Sequence, residues 1–192
     1  MAKDHLERPA QEHSSRKRAL KRPPESRLVP DIVLDSILEI TPEWLRTRGI
    51  MGLSVDLDNT LALYGQKGPM GNTKTWVATI LGAGIPIVVI SNNSESRCAS
   101  FCKPLGVPFV YGAGKPRKKG YFRVAQVMRL PAEQIAHVGD QVFTDVWGAK
   151  RSGMTAILVQ PVCIRGHFFL SVRHRLEMPF ISKAIKRRKE TT

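Results

Sequence analysis

The feature that most constrains the fold is an alternation of short apolar runs and helical segments through the middle of the chain. Parallel strands need crossover connections, which are usually right-handed helices. The pattern therefore predicts an α/β fold with a doubly wound, Rossmann-like parallel sheet of five strands. The strands are expected at residues 50–56, 85–90, 107–111, 135–138 and 156–159. The helices are expected near residues 73–81, 94–103, 119–129 and 143–151.

The segments before and after this alternation differ from it in composition. Residues 1–27 are polar and basic, which is typical of a disordered tail. Helical spacing of apolar residues over 31–40, and an N-cap and first-turn proline at Thr41 and Pro42, predict two short helices before the first strand. We therefore divide the chain into a tail at 1–27, a domain at 28–165 and a basic amphipathic segment at 166–192.

The chain is strongly basic, with a formal net charge of +14, most of it in the two ends. Such a charge attracts polyanions, either nucleic acid or an anionic lipid surface. No apolar run approaches the roughly 18 residues of a membrane-spanning helix. Three cysteines and no apolar N-terminal segment are typical of an intracellular protein. We therefore expect a cytoplasmic protein. Its basic ends also allow peripheral contact with the inner face of the membrane.

Four aspartates are predicted to converge at one edge of the sheet. Asp56 and Asp58 end the first predicted strand, and residues two apart in an extended segment project to the same side. Asp140 and Asp145 follow the fourth predicted strand, whose carboxyl end lies at the same edge of a parallel sheet. Carboxylates held together repel one another unless a cation lies among them. Their hard oxygen atoms suit Mg²⁺.

Groups that bind phosphate are predicted at the same edge. Ser91 and Asn92 follow the second predicted strand and begin a helix, where a hydroxyl and backbone N–H groups can hold an anion. Lys115 follows two glycines between the third and fourth strands and can neutralise a phosphate from the opposite side. Lys118 and Lys119 are alternatives for that role.

In this order, these residues resemble the four motifs of the haloacid dehalogenase (HAD) superfamily of phosphotransferases. The motifs stand at Asp56, Asp58 and Thr60, at Ser91, at Lys115, and at Gly139, Asp140, Thr144 and Asp145. The flanking text, such as Ile-Ser-Asn-Asn at 90–93 and Pro-Leu-Gly-Val-Pro-Phe at 104–109, resembles the YqeG branch of subfamily IIIA phosphatases, which is related to mitochondrial phosphatidylglycerophosphate phosphatases. The resemblance covers about residues 28–185.

The resemblance implies a covalent mechanism. Asp56 would attack phosphorus and become an aspartyl phosphate, while Asp58 would protonate the leaving alcohol and then activate water. An aspartate is already ionised at neutral pH and needs no base to act as a nucleophile. The implied Mg²⁺ ligands are Asp56, Asp58 through its backbone carbonyl, Asp140 and Asp145. The implied phosphate-binding residues are Asn59, Thr60, Ser91, Asn92 and Lys115.

The short spacing between the motifs bears on the substrate. Residues 59–85 and 92–114 are nearly filled by predicted core elements, so neither segment has room for a cap domain. An open site suits a phosphate carried by a large molecule, such as a phospholipid headgroup. We therefore expect conversion of phosphatidylglycerophosphate to phosphatidylglycerol. The alternatives are an RNA- or ribosome-associated factor with this fold, and a phosphatase of another bulky substrate such as a protein or a nucleotide.

Other residues have simpler interpretations. Cys98 and Cys102 are four apart on a predicted helix but lack a matching second pair, so we expect buried thiols rather than metal ligands. His137 is expected to pack within the fourth strand. The apolar face of segment 166–192 either packs on the domain or contacts a membrane, and the sequence favours neither.

Overall fold

The computed structural model describes residues 27–63, 66, 68–161 and 168–190. The predicted tail, apart from Arg27, lies outside the described residues, as does the beginning of the C-terminal segment. The strands are β1 (Ile32–Leu34), β2 (Gly52–Val55), β3 (Ile87–Ile90), β4 (Phe109–Val110), β5 (Ile135–Gly139) and β6 (Thr155–Val159). The helices are α1 (Pro42–Arg46), α2 (Gly71–Gly82), α3 (Glu95–Cys102), α4 (Lys118–Met128), α5 (Trp147–Arg151) and α6 (Phe168–Glu190).

The strands form one parallel sheet in the order β1-β6-β5-β2-β3-β4. All five predicted strands are present, and β2 lies at the centre between β5 and β3. Because the chain leaves β2 toward one edge and returns to β5 on the other side, the carboxyl ends of β2, β3 and β5 meet at the point where ligands bind in such sheets.

The prediction of a helix over residues 31–40 was wrong. The segment forms a sixth strand, β1, which pairs with β6, and then a 3₁₀ helix at Ile37–Glu39 that is capped by Ser36. The carboxylate of Asp31 accepts a hydrogen bond from Ala156 N at 2.9 Å and contacts Lys150 Nζ at 2.5 Å, so the start of β1 is joined to β6. The neighbouring β-branched residues Ile32 and Val33 favour a strand, and the edge of β6 offers backbone partners for one. These two effects outweighed the helical spacing of the apolar residues.

Two layers of helices cover the sheet, as a doubly wound fold requires. On β3, Ile87 and Val89 face a core shared with α1, α2 and α3. Val88 and Ile90 face the other core, which includes residues of α4, α5 and α6. The described residues between the predicted motifs belong to these layers or to short loops, and they contain no separate cap domain.

Helix α6 forms most of the predicted amphipathic C-terminal segment and is continuous through Pro179. Ile181 and Ala184 are buried, and Phe180 packs against the core on the α4 and α5 face. Leu176 stays 62% exposed. The described part of the C-terminal segment therefore packs on the domain through one face. No helix among the described residues is long and apolar enough to cross a bilayer.

Candidate active site

Three buried aspartates form the centre of the site. Asp56 follows β2, Asp140 follows β5, and Asp145 lies one turn further, within a π-helical segment at Val142–Val146. Each offers a carboxylate oxygen, and these oxygens lie within 4.8 Å of one another. We call these three residues the acidic cluster. Buried oxygen donors at this spacing fit the predicted Mg²⁺, since hard cations prefer such ligands.

Lys115 provides the positive charge of the acidic cluster. Its Nζ atom lies 2.5 Å from Asp56 Oδ1 and 2.6 Å from Asp145 Oδ1, and the residue is buried. The alternatives Lys118 and Lys119 are exposed on α4. Of the three candidate lysines, Lys115 is therefore the one that the structure brings to the aspartates.

Asn92 holds the backbone of Lys115 from both sides. Its Oδ1 accepts a hydrogen bond from Lys115 N at 2.7 Å, and its Nδ2 donates to Lys115 O at 3.2 Å. The sequence suggested a direct phosphate contact for Asn92. In the structure its side-chain amide joins the loop after β3 to the loop that carries the lysine, and the phosphate contact stays a prediction.

The pKa values of Asp56 and Asp145 shift in opposite directions within the acidic cluster. Burial raises the pKa of Asp56 to about 7, although Lys115 opposes the shift. Burial acts on Asp145 in the same direction, but Lys115 and His137 outweigh it and hold the pKa of Asp145 below its usual range. The two carboxylates likewise overcome burial and raise the pKa of Lys115. Lys115 and Asp145 therefore form a permanent ion pair, while the charge of Asp56 depends on pH near neutrality.

His137 supports Asp145 from within β5. Its Nε2 lies 3.3 Å from Asp145 Oδ1, and its Nδ1 lies 3.0 Å from Ser54 Oγ. Burial lowers the pKa of His137, so the ring is neutral at pH 7. Because the ionised carboxylate of Asp145 can only accept, the neutral ring carries its proton on Nε2 and donates to Asp145, which leaves Nδ1 to accept from Ser54 Oγ. His137 is buried as expected, and it also orients a carboxylate of the site.

Gly139 lets the acidic residues come this close. A Cβ atom at this position would lie 2.4 Å from Asp145 Cγ, well inside van der Waals contact. Any side chain here would displace Asp145. The glycine of the fourth motif is therefore required by the packing of the carboxylate behind it.

Asp58 lies outside the acidic cluster. Its Oδ1 contacts Arg97 Nη2 at 2.7 Å, and its Oδ2 accepts a hydrogen bond from Asn93 Nδ2. Arg97 also donates to Gln66 O at 2.5 Å. The structure therefore brings the carboxylates of three of the four predicted aspartates together. It places that of Asp58 beside them, against an arginine.

The remaining predicted phosphate-binding residues lie at the same edge. Ser91 is buried, and its Oγ accepts a hydrogen bond from Asn93 N at 3.2 Å. Asn59 adopts a left-handed conformation with φ of 62°, and its N–H donates to Ala62 O. The hydroxyl of Thr60 is buried and has no hydrogen-bond partner among the described residues.

Four residues of the site were missed in the sequence. Asn93 and Arg97 bind Asp58, Tyr121 donates to Thr144 O at 3.0 Å, and Glu177 binds the segment after Asp140. A signal existed for Asn93 and Arg97, because both lie just after the predicted strand end at Ser91. Tyr121 lies in a predicted helix soon after Lys115, but nothing in its spacing indicated a contact with the segment after β5, and Glu177 lies far from any motif.

The two helical cysteines behave as predicted. Cys98 and Cys102 are free and buried on α3, and burial raises the pKa of both thiols, that of Cys102 to about 12. Thiols that stay protonated are poor metal ligands. Among the described residues, the group suited to a metal ion is the acidic cluster.

Comparison with known proteins identifies the family. Residues 14–153 match the haloacid dehalogenase-like hydrolase family. The chain is 37% identical over 160 residues to the probable phosphatase YqeG of Bacillus subtilis. The aligned region covers 83% of this chain and 92% of that protein. It is 26% identical over 169 residues to the chloroplastic phosphatidylglycerophosphate phosphatase 1 of Chlamydomonas reinhardtii, covering 83% of this chain and 63% of that protein.

A solved structure can be set beside these relatives. It is the cobalt-bound deoxy-D-mannose-octulosonate 8-phosphate phosphatase of Haemophilus influenzae, with a TM-score of 0.47 and 20% identity, covering 58% of this chain and 69% of that one. The match to the family and the similarity to YqeG along most of both chains agree with the order of the motifs. The chain therefore belongs to the haloacid dehalogenase-like hydrolases and is a phosphatase of that family.

Proposed function

We propose that this enzyme hydrolyses phosphate monoesters with Mg²⁺ through an aspartyl-phosphate intermediate on Asp56. The observation that carries the proposal is the acidic cluster around Lys115, with a further aspartate, Asp58, beside it. This arrangement has a nucleophile, a cation and a separate carboxylate at one sheet edge. Those are the groups that phosphoryl transfer needs for positioning and charge stabilisation.

The acidic cluster would hold the metal. Asp56, Asp140 and Asp145 are the proposed ligands, together with the backbone carbonyl of Asp58. Asp145 already has Lys115, His137 and Gln141 N as partners. Its proposed role is therefore to orient Lys115 as well as to bind the metal. When bound, Mg²⁺ offsets the negative charge of the aspartates and of the phosphoryl group.

The protein side chains carry out the chemical steps. The carboxylate of Asp56 attacks phosphorus, and Asp58 gives a proton to the departing oxygen. Asp58 then takes a proton from the water that hydrolyses the aspartyl phosphate. Because both Asp58 oxygens accept hydrogen bonds in the structure, one of them must leave Arg97 or Asn93 before Asp58 can donate.

The phosphoryl oxygens would be held by groups around this pair. Lys115 and the hydroxyl of Ser91 are the proposed main contacts, since both lie at the carboxyl edge of the sheet. Asn59 and Thr60 are further candidates on the loop after β2. Asn92 is a further proposed contact through its backbone N–H, and its side chain fixes the backbone of Lys115.

For the substrate we propose phosphatidylglycerophosphate. The name of the Chlamydomonas relative supports this choice. The site also lacks a separate cap domain within the described residues, so a headgroup at a membrane has access to it. Exposed residues of α6 favour contact with an anionic surface, because the helix exposes both basic and large apolar side chains. They are Arg175, Leu176, Met178, Lys183 and Lys186.

Phosphate release from phosphatidylglycerophosphate in mixed micelles, with and without Mg²⁺, tests the proposal. Asp56→Asn and Asp58→Asn proteins serve as blanks, and we expect release only by the wild type with metal. Turnover of an aryl phosphate without turnover of the lipid would retain the chemistry and reject the substrate. Retained activity in Asp56→Asn would reject the covalent mechanism.

Sedimentation with anionic vesicles tests the membrane contact. Arg175→Glu, Lys183→Glu and Lys186→Glu together should reduce binding. A matched triple reversal on α4, at Lys118, Lys119 and Arg123, changes the net charge equally. Equal losses in both proteins would mean that only total charge matters, and the assignment to α6 would fail.

A further inference from the structure

Helix α6 carries a buried carboxylate close to the acidic cluster. Glu177 is only 1% exposed. Its Oε1 accepts hydrogen bonds from Val142 N at 2.9 Å and Phe143 N at 3.3 Å. These N–H groups belong to the first turn of the helical segment after β5, where no intrahelical carbonyl is available to them. We call residues 140–145, which run from one aspartate of the cluster to the other, the aspartate loop.

The aspartate loop is held at successive positions by different parts of the protein. Gln141 N donates to Asp145 Oδ2 at 3.1 Å, and Thr144 Oγ1 donates to Gln141 Oε1 at 3.0 Å. Tyr121 on α4 donates to Thr144 O. Glu177 takes the two amides in the middle of the loop. Its hydrogen bonds therefore act midway between the two carboxylates that must face the same cation.

Glu177 places a carboxylate in the buried face of α6, where packing of the helix requires only an apolar side chain. A buried carboxylate is costly unless polar groups compensate for it, and an apolar residue of similar size would pack α6 without that cost. The neighbours that dock α6 are apolar, among them Ile181 and Phe180, whose ring lies 6.1 Å from that of Phe143. The two loop amides are among the polar groups that compensate for the charge of Glu177, and charge-assisted hydrogen bonds of this kind are strong.

We infer that Glu177 is a positioning residue that fixes the aspartate loop and so sets the affinity of the acidic cluster for its cation. The inference rests on the proposed function for the identity of that cation. Glu177 links the C-terminal helix to the catalytic centre through the backbone amides of the aspartate loop, without direct contact with metal or substrate. Residues that orient metal ligands typically contribute about ten- to a hundredfold to affinity.

Calorimetric titration of the full-length protein with Mg²⁺ tests the inference, with thermal melting measured in parallel. Glu177→Met keeps the size of the side chain but removes the acceptor, and Glu177→Gln keeps a neutral acceptor. Ile181→Ala is the matched control, because it weakens docking of α6 without touching the loop amides. We expect a dissociation constant raised about tenfold in Glu177→Met and about threefold in Glu177→Gln. Ile181→Ala should melt earlier with unchanged Mg²⁺ affinity.

Each outcome decides the question. Unchanged Mg²⁺ affinity in Glu177→Met, or an equal change in Ile181→Ala, would mean that Glu177 only docks the helix. If Glu177→Met does not fold, unchanged affinity in Glu177→Gln overturns the inference in its place, and a raised dissociation constant supports it. Failure of the wild type itself to bind Mg²⁺ would reject the proposed function, and the inference with it.

Discussion

Asp56 and Asp58 are two residues apart, yet they lie in opposite kinds of environment. Asp56 is part of the acidic cluster, where burial raises its pKa to about 7. The side chain of Asp58 is 13% exposed and pairs with Arg97, whose side chain is 19% exposed. We call Asp58 and Arg97 the outer pair. One motif thus supplies a carboxylate to a buried cluster around a lysine and another to an ion pair with a part-exposed arginine beside it.

The difference matches the two tasks proposed for these residues. A nucleophile and metal ligand benefits from a buried site, where a cation and fixed dipoles act strongly. A group that exchanges protons with a leaving alcohol and with water must remain within reach of both. Variants that change one region should therefore leave a different signature from variants that change the other.

The largest effect is expected from Lys115→Met, which removes the cation that contacts both Asp56 and Asp145. Loss of one partner from a buried ion pair costs about 3–5 kcal/mol, and loss of a charge-stabilising donor costs about 10²–10³ in rate. Urea unfolding of the metal-free protein and steady-state kinetics measure both quantities. Lys118→Met, at an exposed position on α4, is the control. Similar losses in both variants would contradict the assignment of Lys115.

A pH-dependent effect is expected from Asp56→Asn in the metal-free protein. Since the pKa of Asp56 rises from 3.8 to about 7 on folding, the folded state binds more protons between these values. Stability from this group is therefore highest at low pH and falls as the pH rises toward 7. Asn removes the dependence, so at pH 8 the variant should be more stable than the wild type by on the order of 4 kcal/mol and should melt at a higher temperature.

Two comparisons check this sign in melting experiments with a chelator. At pH 4.5 the difference between Asp56→Asn and wild type should be much smaller, about 1 kcal/mol, since Asp56 is then protonated in the folded wild type. At pH 8, added Mg²⁺ should stabilise the wild type more than the variant. A wild type that melts above Asp56→Asn at pH 8 without metal would contradict the buried-charge account.

The smallest effect is expected from Arg97→Gln, which breaks the outer pair. Partly exposed ion pairs contribute at most about 1 kcal/mol to stability. Asp58 would lose one of its two anchors, and misplacement of a reacting group lowers kcat by roughly tenfold or more. Kinetics at saturating Mg²⁺ with melting curves test this. A large loss of stability, or a raised Mg²⁺ requirement with normal kcat, would assign Arg97 to the acidic cluster instead.

The architecture was predictable wherever an element is long and its pattern unambiguous. The five expected strands and the helices between them are present, because buried parallel strands are continuously apolar and parallel pairs need crossover connections, which are usually helices. The failure at 31–40 shows the limit of this reasoning. Three apolar residues in a row and two further ones at helical spacing fit a strand followed by a 3₁₀ turn equally well.

The sequence predicted which residues form the candidate site better than it predicted the contacts that they make. Asp56, Asp140, Asp145 and Lys115 do converge, because they follow strands whose carboxyl ends share one edge. The sequence did not indicate that Asn92 would hold the lysine backbone or that Asp58 would turn to Arg97. Those outcomes depend on side-chain directions at the edge of the sheet, which no spacing along the chain specifies.

The sequence by itself determined five of the six strands, the order of the motifs and the family, since periodicity and residue type at strand ends are local properties. Only the tertiary structure decided which of three lysines enters the acidic cluster, and that Glu177 reaches the aspartate loop from α6. The physical reason is that burial and hydrogen bonding are set by elements far apart in the chain. Glu177 and Val142 are separated by 35 residues, and they meet only because α6 packs on the sheet.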